Sequence, residues 1–221
     1  MMKKINIRLN SGNFPIYLGD NILEKLPLLL NEYSKYIVLI DENIVPFYRD
    51  KLKKIFPHFV FIVVSSGEYH KNIHSVENIW KELLFHSTDR KSVLINFGGG
   101  VVGDMGGFVA GTYMRGIDYI QVPTTLLSQV DASIGGKTGF NFGGIKNSIG
   151  LFNQPKLVLI DVDILSTLPR REFVSGFAEI IKHGIIADKN YFQLVTAKKP
   201  NEYSKIEMMK IIEGSCRIKS K

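Results

Sequence analysis

The segment of this chain most typical of a nucleotide site is residues 98–104, which read Gly-Gly-Gly-Val-Val-Gly-Asp. It follows the apolar run 92–97, which predicts a buried strand, and precedes the small, apolar stretch 105–111. Backbone N–H groups at a strand-to-helix turn can approach a pyrophosphate at the positive end of the helix dipole. An ordinary tight turn also uses such glycines. Dinucleotide-binding segments usually have an acidic residue about 20 positions later, and here it is not cleanly present, because Asp118 lies too early. Both interpretations stay open on this segment alone.

A second group of chemically useful residues lies between Asp131 and Gly150. Six glycines there accompany Lys137, Lys146 and Asn147. Glycine lets the main chain approach a ligand closely, and lysine supplies a mobile positive charge, so the segment could surround a phosphate from several sides. The alternative is a flexible surface loop with solvated lysines. We favour the phosphate site because so many glycines next to charged residues rarely serve packing alone.

A third group combines a carboxylate, an ammonium and an imidazole. Glu179 and Lys182 are three residues apart and share one face of a helix, while His183 follows Glu179 by four. Glu179 and His183 could therefore offer two ligands to one metal. The simpler interpretation is an exposed ion pair and a partly buried histidine.

Asp41 is a further candidate residue at the end of a strand. It follows the predicted strand 36–40 and either holds a ribose hydroxyl or caps the next helix.

The composition indicates a folded protein with a sizeable core, since 45% of its 221 residues are hydrophobic. Cys216 is the single cysteine, which excludes an internal disulfide framework, and no secretory leader opens the chain, so we expect a cytoplasmic protein. No apolar run approaches the roughly 18 residues of a membrane span. The net charge of +7 suits a phosphate-bearing small molecule, whereas no basic stripe interleaved with aromatic residues points to nucleic acid.

The chain also predicts the scaffold that must position these residues. Strand-like runs alternate with helix-length segments, at residues 36–40, 59–65, 92–97, 119–122 and 157–160. This alternation predicts an α/β fold with parallel strands and crossover helices. After Pro169 the pattern becomes helical, with helices expected over 172–186 and 203–221. We expect an α/β domain over 1–174 and the beginning of a helical domain over 175–221, with the chain ending inside an element.

Taken together, these stretches resemble the 3-dehydroquinate synthases, a family of sugar-phosphate cyclases. The resemblance extends over roughly residues 6–219 and rests on motifs in family order, namely SGEYHK at 66–71, the glycine segment 98–104, YMRG at 113–116, VPTTLL at 122–127 with QVD at 129–131, the segment 135–147, LPRREF at 168–173 and AEIIK at 178–182. It implies a Rossmann-like, NAD-binding α/β domain followed by an all-helical domain, with the site between them.

The resemblance assigns individual roles. NAD contacts would come from Asp41, Glu68, Lys71, Gly100, Val101, Asp104, Thr124, Thr125, Lys137, Lys146 and Thr167. Substrate contacts would come from Asp131, Lys137, Asn147, Lys182 and Lys219. Arg115 would reach the substrate phosphate of the neighbouring subunit in a homodimer, and Glu179 would be a ligand of a catalytic Zn²⁺ or Co²⁺. Family members fill the position of His183 variably, so the resemblance argues against the two-ligand interpretation.

The resemblance also implies a reaction, the NAD- and metal-dependent conversion of 3-deoxy-D-arabino-heptulosonate 7-phosphate into 3-dehydroquinate with release of phosphate, a step of the shikimate pathway. The family takes two further zinc ligands from histidines in later segments, so we expect this chain alone to lack normal turnover. The alternatives are another cyclase of the inosose or valiolone synthase type, a metal-dependent polyol or glycerol-phosphate dehydrogenase that releases NADH, and a domain that binds NAD or a partner without catalysis.

Overall fold

The computed structural model describes residues 2–9, 12–30 and 32–220. In these ranges strands and helices follow one another as β1 (Met2–Leu9), β2 (Gly12–Gly19), α1 (Leu26–Leu29), β3 (Tyr36–Asp41), α2 (Val45–Ile55), β4 (Val60–Val64), α3 (Ile73–Phe85), β5 (Val93–Gly98), α4 (Gly100–Thr112), β6 (Asp118–Pro123), β7 (Lys137–Phe142), β8 (Ile145–Phe152), β9 (Leu157–Asp161), α5 (Arg170–Ala187), α6 (Lys189–Thr196) and α7 (Lys205–Lys219). The five predicted strands correspond to β3, β4, β5, β6 and β9.

The predicted α/β fold is confirmed by a seven-stranded sheet in the order β1-β2-β9-β6-β5-β3-β4. Within the described residues of this seven-stranded sheet, β1 and β2 pair antiparallel, and the other neighbours pair in parallel. Strands β3 and β5 are neighbours, and the chain builds outward from them in opposite directions. From β3 it continues to β4 at one edge of the sheet, whereas from β5 it continues to β6 toward the other edge. A crevice therefore opens between the carboxyl ends of β3 and β5, which is where doubly wound sheets bind their ligands.

The sheet is covered on both faces. Alternate residues of β3 point in opposite directions, so Ile37 and Leu39 pack with α3 and α4, while Val38 and Ile40 pack with α2. Strand β5 is buried along its whole length. A continuous apolar run such as 92–97 is typical of a strand covered on both faces, which explains why the sequence predicts it well.

Helix α4 packs closely against β5. A Cβ atom added at Gly106 would lie 2.0 Å from the Oδ1 atom of Asn96, so any larger residue here would force the Asn96 side chain to move. The same helix buries Val102, Met105 and Phe108. Close packing of this helix fixes its first turn at the end of β5.

The three C-terminal helices pack against the other half of the sheet. Phe177 of α5 and Ile212 of α7 share one core with Ile7 of β1 and Ile16 of β2. Helix α7 begins at Lys205 because Ser204 and Glu207 form a capping box, so the helix starts later than predicted. Helix α6 was not predicted, and the domain boundary at residue 175 stays a prediction. No helix in the described part of the chain is long and apolar enough to cross a bilayer.

Candidate functional site

A cavity of about 510 Å³ opens beside the first turn of α4. Its lining includes five residues that the resemblance assigned to cofactor or substrate, namely Asp104, Asp131, Lys137, Asn147 and Lys219. They come from four separate parts of the chain. The fold therefore brings these predicted site residues to one concave surface.

One wall of the cavity is the two-stranded hairpin β7–β8, which excludes the alternative of a flexible surface loop between Asp131 and Gly150. Gly143 and Gly144 connect the strands with φ values of 59° and 78°, the backbone of a type I′ turn. Gly139 lies opposite Gly150, and a Cβ atom on Gly139 would lie 2.3 Å from a backbone oxygen. Several of these glycines thus build a hairpin, a role that neither the phosphate nor the loop interpretation included. The hairpin places Asn147 on the cavity.

A buried lysine joins this hairpin to α4. Lys71 is 3% exposed, and its ammonium donates to the carboxylate of Asp104 and to the side-chain oxygen of Asn147. The backbone oxygen of Lys71 accepts from the N–H of Asn141 at 2.8 Å, and Glu68 accepts from the Asn141 amide at 3.0 Å. Burial raises the pKa of Asp104, and the charge of Lys71 opposes that rise. The predicted cofactor residues Glu68, Lys71 and Asp104 therefore form one connected network.

Other predicted cofactor residues lie at the carboxyl ends of β5 and β6. Gly100 and Val101 form the first turn of α4, and no side chain caps this turn. The N–H of Thr124 donates to the carbonyl of Gly98 at 3.0 Å, and the Thr125 hydroxyl lies 2.7 Å from that of Ser128. An uncapped, glycine-rich helix start leaves backbone N–H groups available to an anion.

Two predicted cofactor residues have local structural roles. Asp41 accepts from the backbone N–H of Asn43 at 2.9 Å and so caps the short helix Glu42–Ile44, as one of its two interpretations proposed. The Thr167 hydroxyl lies 3.2 Å from that of Tyr48. Asp41 nevertheless ends β3 and therefore lies at the crevice described above.

A cluster of possible metal ligands adjoins the cavity. Asp131, Glu179 and His183 each offer a ligand atom, and these atoms all lie within 4.8 Å of one another. Asp131 lies in the π-helical segment Ser128–Ala132, while Glu179 and His183 occupy successive turns of α5. Lys219 Nζ lies 2.5 Å from Asp131 Oδ1, and Lys182 pairs with Glu179, which raises the pKa of Lys182.

The donor set of this cluster fits a divalent metal. Asp131 Oδ1 and Glu179 Oε1 are buried, and neither accepts a hydrogen bond of acceptable geometry from the described residues, although two ammonium groups lie against them. Carboxylate oxygens and an imidazole nitrogen are ligands of Zn²⁺ and Co²⁺. His183, which the resemblance argued against, lies with Nε2 at 3.3 Å from Glu179 Oε1. Burial lowers its pKa, which favours the neutral, metal-binding form.

Arg115 and Lys146 are among the predicted residues that lie outside the cavity lining. Arg115 is in the short helix Tyr113–Arg115 beyond the C-terminal end of α4, and Lys146 is an exposed residue of β8. Sequence patterns gave no indication of Ser215 and Tyr191, whose hydroxyl groups join His183 in a buried hydrogen-bonded chain. No local spacing signals such a contact, because it forms only when α5, α6 and α7 pack together.

Comparison with known proteins decides the family. A sequence model described as the N-terminal part of 3-dehydroquinate synthase matches residues 61–175, more than half of the chain. The chain belongs to the 3-dehydroquinate synthase family. It is 42% identical over 223 residues to the 3-dehydroquinate synthase of Alkaliphilus metalliredigens (strain QYMF), an alignment that covers 99% of this chain and 63% of that protein. The chain thus spans less than two thirds of the length of the relatives that it matches.

Solved structures of other sugar-phosphate cyclases share the fold. A 2-deoxy-scyllo-inosose synthase complexed with carbaglucose-6-phosphate, NAD⁺ and Co²⁺ matches with a TM-score of 0.89 and 25% identity, over 99% of this chain and 62% of that one. The 2-epi-5-epi-valiolone synthase of Streptomyces hygroscopicus subsp. jinggangensis, with NAD⁺ and Zn²⁺ bound, matches with a TM-score of 0.84 and 25% identity, over 96% of this chain and 61% of that one.

Proposed function

We propose that this chain supplies the NAD-binding part and much of the substrate site of a 3-dehydroquinate synthase. The reaction would convert 3-deoxy-D-arabino-heptulosonate 7-phosphate into 3-dehydroquinate and release phosphate. The observation that carries the proposal is the cavity, where Lys137, Asn147 and Lys219 meet beside the uncapped start of α4. Membership of the family supports this assignment.

The chain would hold NAD across the carboxyl ends of β3, β5 and β6. The first turn of α4 offers N–H groups to the pyrophosphate, and Asp41 lies across the crevice at the end of β3, where a ribose hydroxyl is usually bound. NAD would supply reversible hydride transfer. Two cyclases of the same fold were solved with NAD⁺ bound, which supports this cofactor.

The polar residues of the cavity would orient the substrate and stabilise the departing phosphate. Lys137 and Lys219 provide two positive charges, and the side chain of Asn147 is held in place by Lys71. Positively charged groups fixed before the reaction lower the energy of a developing anion. A divalent metal on Glu179 would act as a Lewis acid toward the substrate oxygen.

The proposed homodimer would explain the position of Arg115. The backbone of Met114 and Arg115 is left-handed, with φ values of 49° and 67°, and both side chains are exposed. Such backbone strain in residues other than glycine often occurs at functional positions. We propose that Arg115 serves the site of a neighbouring subunit, and sedimentation of the wild type and Arg115→Ala would test the dimer.

Calorimetric titration of the 221-residue chain with NAD and with 3-deoxy-D-arabino-heptulosonate 7-phosphate tests the function. We expect both to bind, and Lys137→Met or Asn147→Ala to weaken substrate binding by about 10- to 100-fold, the effect of losing a hydrogen bond to a charged group. Lys53→Met, at an exposed position of α2, is the matched control and should bind as the wild type does. Absence of heat with both compounds would refute the proposal.

The same samples separate the alternative functions. Tighter binding of carbaglucose-6-phosphate than of the heptulosonate would favour an inosose synthase, the structure of which matches with a TM-score of 0.89. Net accumulation of NADH would indicate a polyol or glycerol-phosphate dehydrogenase, because a cyclase returns NAD to its starting state.

A further inference from the structure

We propose that Asn141 is a positioning residue, which orients the predicted substrate residue Asn147 from the segment 68–71, where the predicted cofactor residues Glu68 and Lys71 lie. The inference rests on the proposed function for the two ligands that these segments would hold. Asn141 lies outside the cavity lining, so it acts through its neighbours. Its evidence is one side-chain amide whose acceptor and donor are used by the two segments on opposite sides.

Asn141 lies where the hairpin β7–β8 loses its regular register. The pairing shifts at this residue, which alone faces residues 146–148 of the other strand. Such a bulge bends a strand and redirects its side chains, and this one contains Asn147. The backbone of Asn147 is left-handed, with a φ value of 52°, a conformation that asparagine tolerates and that surrounding contacts must hold. The direction of the Asn147 side chain therefore depends on what holds the bulge.

The carbonyl end of the Asn141 amide holds the bulge. Its Oδ1 atom accepts from the backbone N–H of Asn147 at 2.9 Å. A backbone N–H can only donate, so the amide oxygen must face it and the amide nitrogen must face the other way. The orientation of the Asn141 amide is therefore fixed by its partners.

The nitrogen end of the amide faces the segment 68–71. Nδ2 of Asn141 donates to Glu68 Oε1 at 3.0 Å, and the carbonyl oxygen of Glu68 lies 3.4 Å away. The backbone N–H of Asn141 donates to the carbonyl of Lys71 at 2.8 Å, within a parallel bridge between Asn72 and Asn141. This side of the residue thus meets acceptors, and the other side meets a donor. An aspartate here would place a second oxygen against Glu68 Oε1.

Lys71 completes the network from the same segment. Its ammonium donates to the side-chain oxygen of Asn147, so Asn147 is held at its backbone by Asn141 and at its side chain by Lys71. Both contacts originate in the segment that would bind NAD. A cofactor that orders this segment would also fix Asn147 at the cavity, so the substrate would have less structure left to order. We therefore expect NAD and substrate to strengthen each other's binding by the same factor.

The test is calorimetric titration of the 221-residue chain with 3-deoxy-D-arabino-heptulosonate 7-phosphate, with and without saturating NAD. EDTA is present to remove divalent metal and so prevent turnover. The ratio of the two dissociation constants is the coupling factor, which we expect to be about 5 or more in the wild type. Asn141→Ala should reduce this factor about threefold or more, the net effect of losing one hydrogen bond. A role in hairpin stability alone would weaken substrate binding equally with and without NAD.

Asn141→Asp separates the two sides of the bridge. It keeps an oxygen for the N–H of Asn147, but it replaces the donor toward Glu68 by an oxygen. The coupling factor should fall as in Asn141→Ala. Adding Glu68→Gln to this variant supplies a donor from the other side and should restore the factor toward the wild-type value.

Ser148→Ala is the matched control for hairpin stability. The Ser148 hydroxyl bonds to the carbonyls of Phe142 and Ile145, contacts that stay within the hairpin. This variant should keep the wild-type coupling factor, and circular dichroism melts show whether each variant is folded.

A coupling factor that Asn141→Ala leaves unchanged would overturn the inference, as would an equal reduction in Ser148→Ala or a wild-type factor of one. In each of these cases both ligands bind, so the proposed function stands. Absence of heat with both compounds would instead refute the proposed function and this inference together.

Discussion

Replacing Lys71 with methionine should destabilise the protein, because the substitution leaves the carboxylate of Asp104 without its ammonium partner. Lys71 also donates to Asn147, so the variant loses the link between α4 and the β7–β8 hairpin. Methionine keeps most of the length and the apolar stem of lysine. The main loss is therefore electrostatic, and its size can be derived from burial.

Breaking a fully buried ion pair by removing one partner costs about 3–5 kcal/mol. The Lys71 side chain is 3% exposed, but that of Asp104 is 22% exposed, so water can still solvate part of the remaining carboxylate. We therefore expect a loss of about 2–3 kcal/mol in the free energy of unfolding. Asp104→Asn in the Lys71→Met background removes the unpaired charge and should restore part of this loss.

Urea denaturation of the wild type, the two single variants and the double variant measures this coupling. Burial already raises the pKa of Asp104, and loss of Lys71 should raise it further. A raised carboxyl pKa means that ionisation costs more in the folded state, so Lys71→Met should regain stability as the pH falls through that pKa. Strictly additive losses, or a single-variant loss below about 0.5 kcal/mol, would refute this reasoning.

Two further predictions concern packing and pH. Gly106→Ala places a Cβ atom 2.0 Å from Asn96 Oδ1, so it should lower the free energy of unfolding by about 1–3 kcal/mol, measured by urea denaturation. Gly100→Ala serves as the control, because its added Cβ atom meets only an ordinary contact at 3.5 Å. Equal urea midpoints for the two variants would contradict this prediction. Hydrogen bonds, first from Lys198, lower the pKa of Glu207 from 4.5 to about 2. The ionised Glu207 therefore stabilises the folded protein above pH 4.5, and this contribution is lost as the pH falls toward 2. The melting temperature of Glu207→Gln should therefore fall less steeply than that of the wild type between pH 4.5 and 2. Equal pH dependence of the two melting temperatures would count against this prediction.

The sequence predicts the parallel sheet well because its strands are apolar runs with little ambiguity. It fails at β8 (Ile145–Phe152), which is exposed along almost its whole length and so lacks an apolar pattern. That strand forms because Gly143 and Gly144 turn the chain back onto β7. Two consecutive glycines between short runs are a known hairpin signal, and they would have indicated this element.

The site is less predictable from the sequence than the sheet. The spacing of Glu179 and His183 already permits two ligands, but Asp131 joins them only because the π-helical segment Ser128–Ala132 packs against α5. Family resemblance named five of the residues that line the cavity, but it gave no indication of Ser215, whose contact with His183 depends on three helices meeting. Contacts between sequence-distant helices are the information that local patterns lack.

The contact between the first strand and the last described helix has a consequence for how the protein folds. Lys3 of β1 and Glu213 of α7 form an ion pair at 2.7 Å across 210 residues of sequence, and Ile5 lies in the same core as Met208. Strand β1 precedes α7 in the chain, so the part of its apolar cover that α7 provides forms only after the residues of α7 have left the ribosome. Until then the apolar side chains of β1 that face α7 are open to wrong partners, so folding in the cell should be slow and sensitive to chaperones.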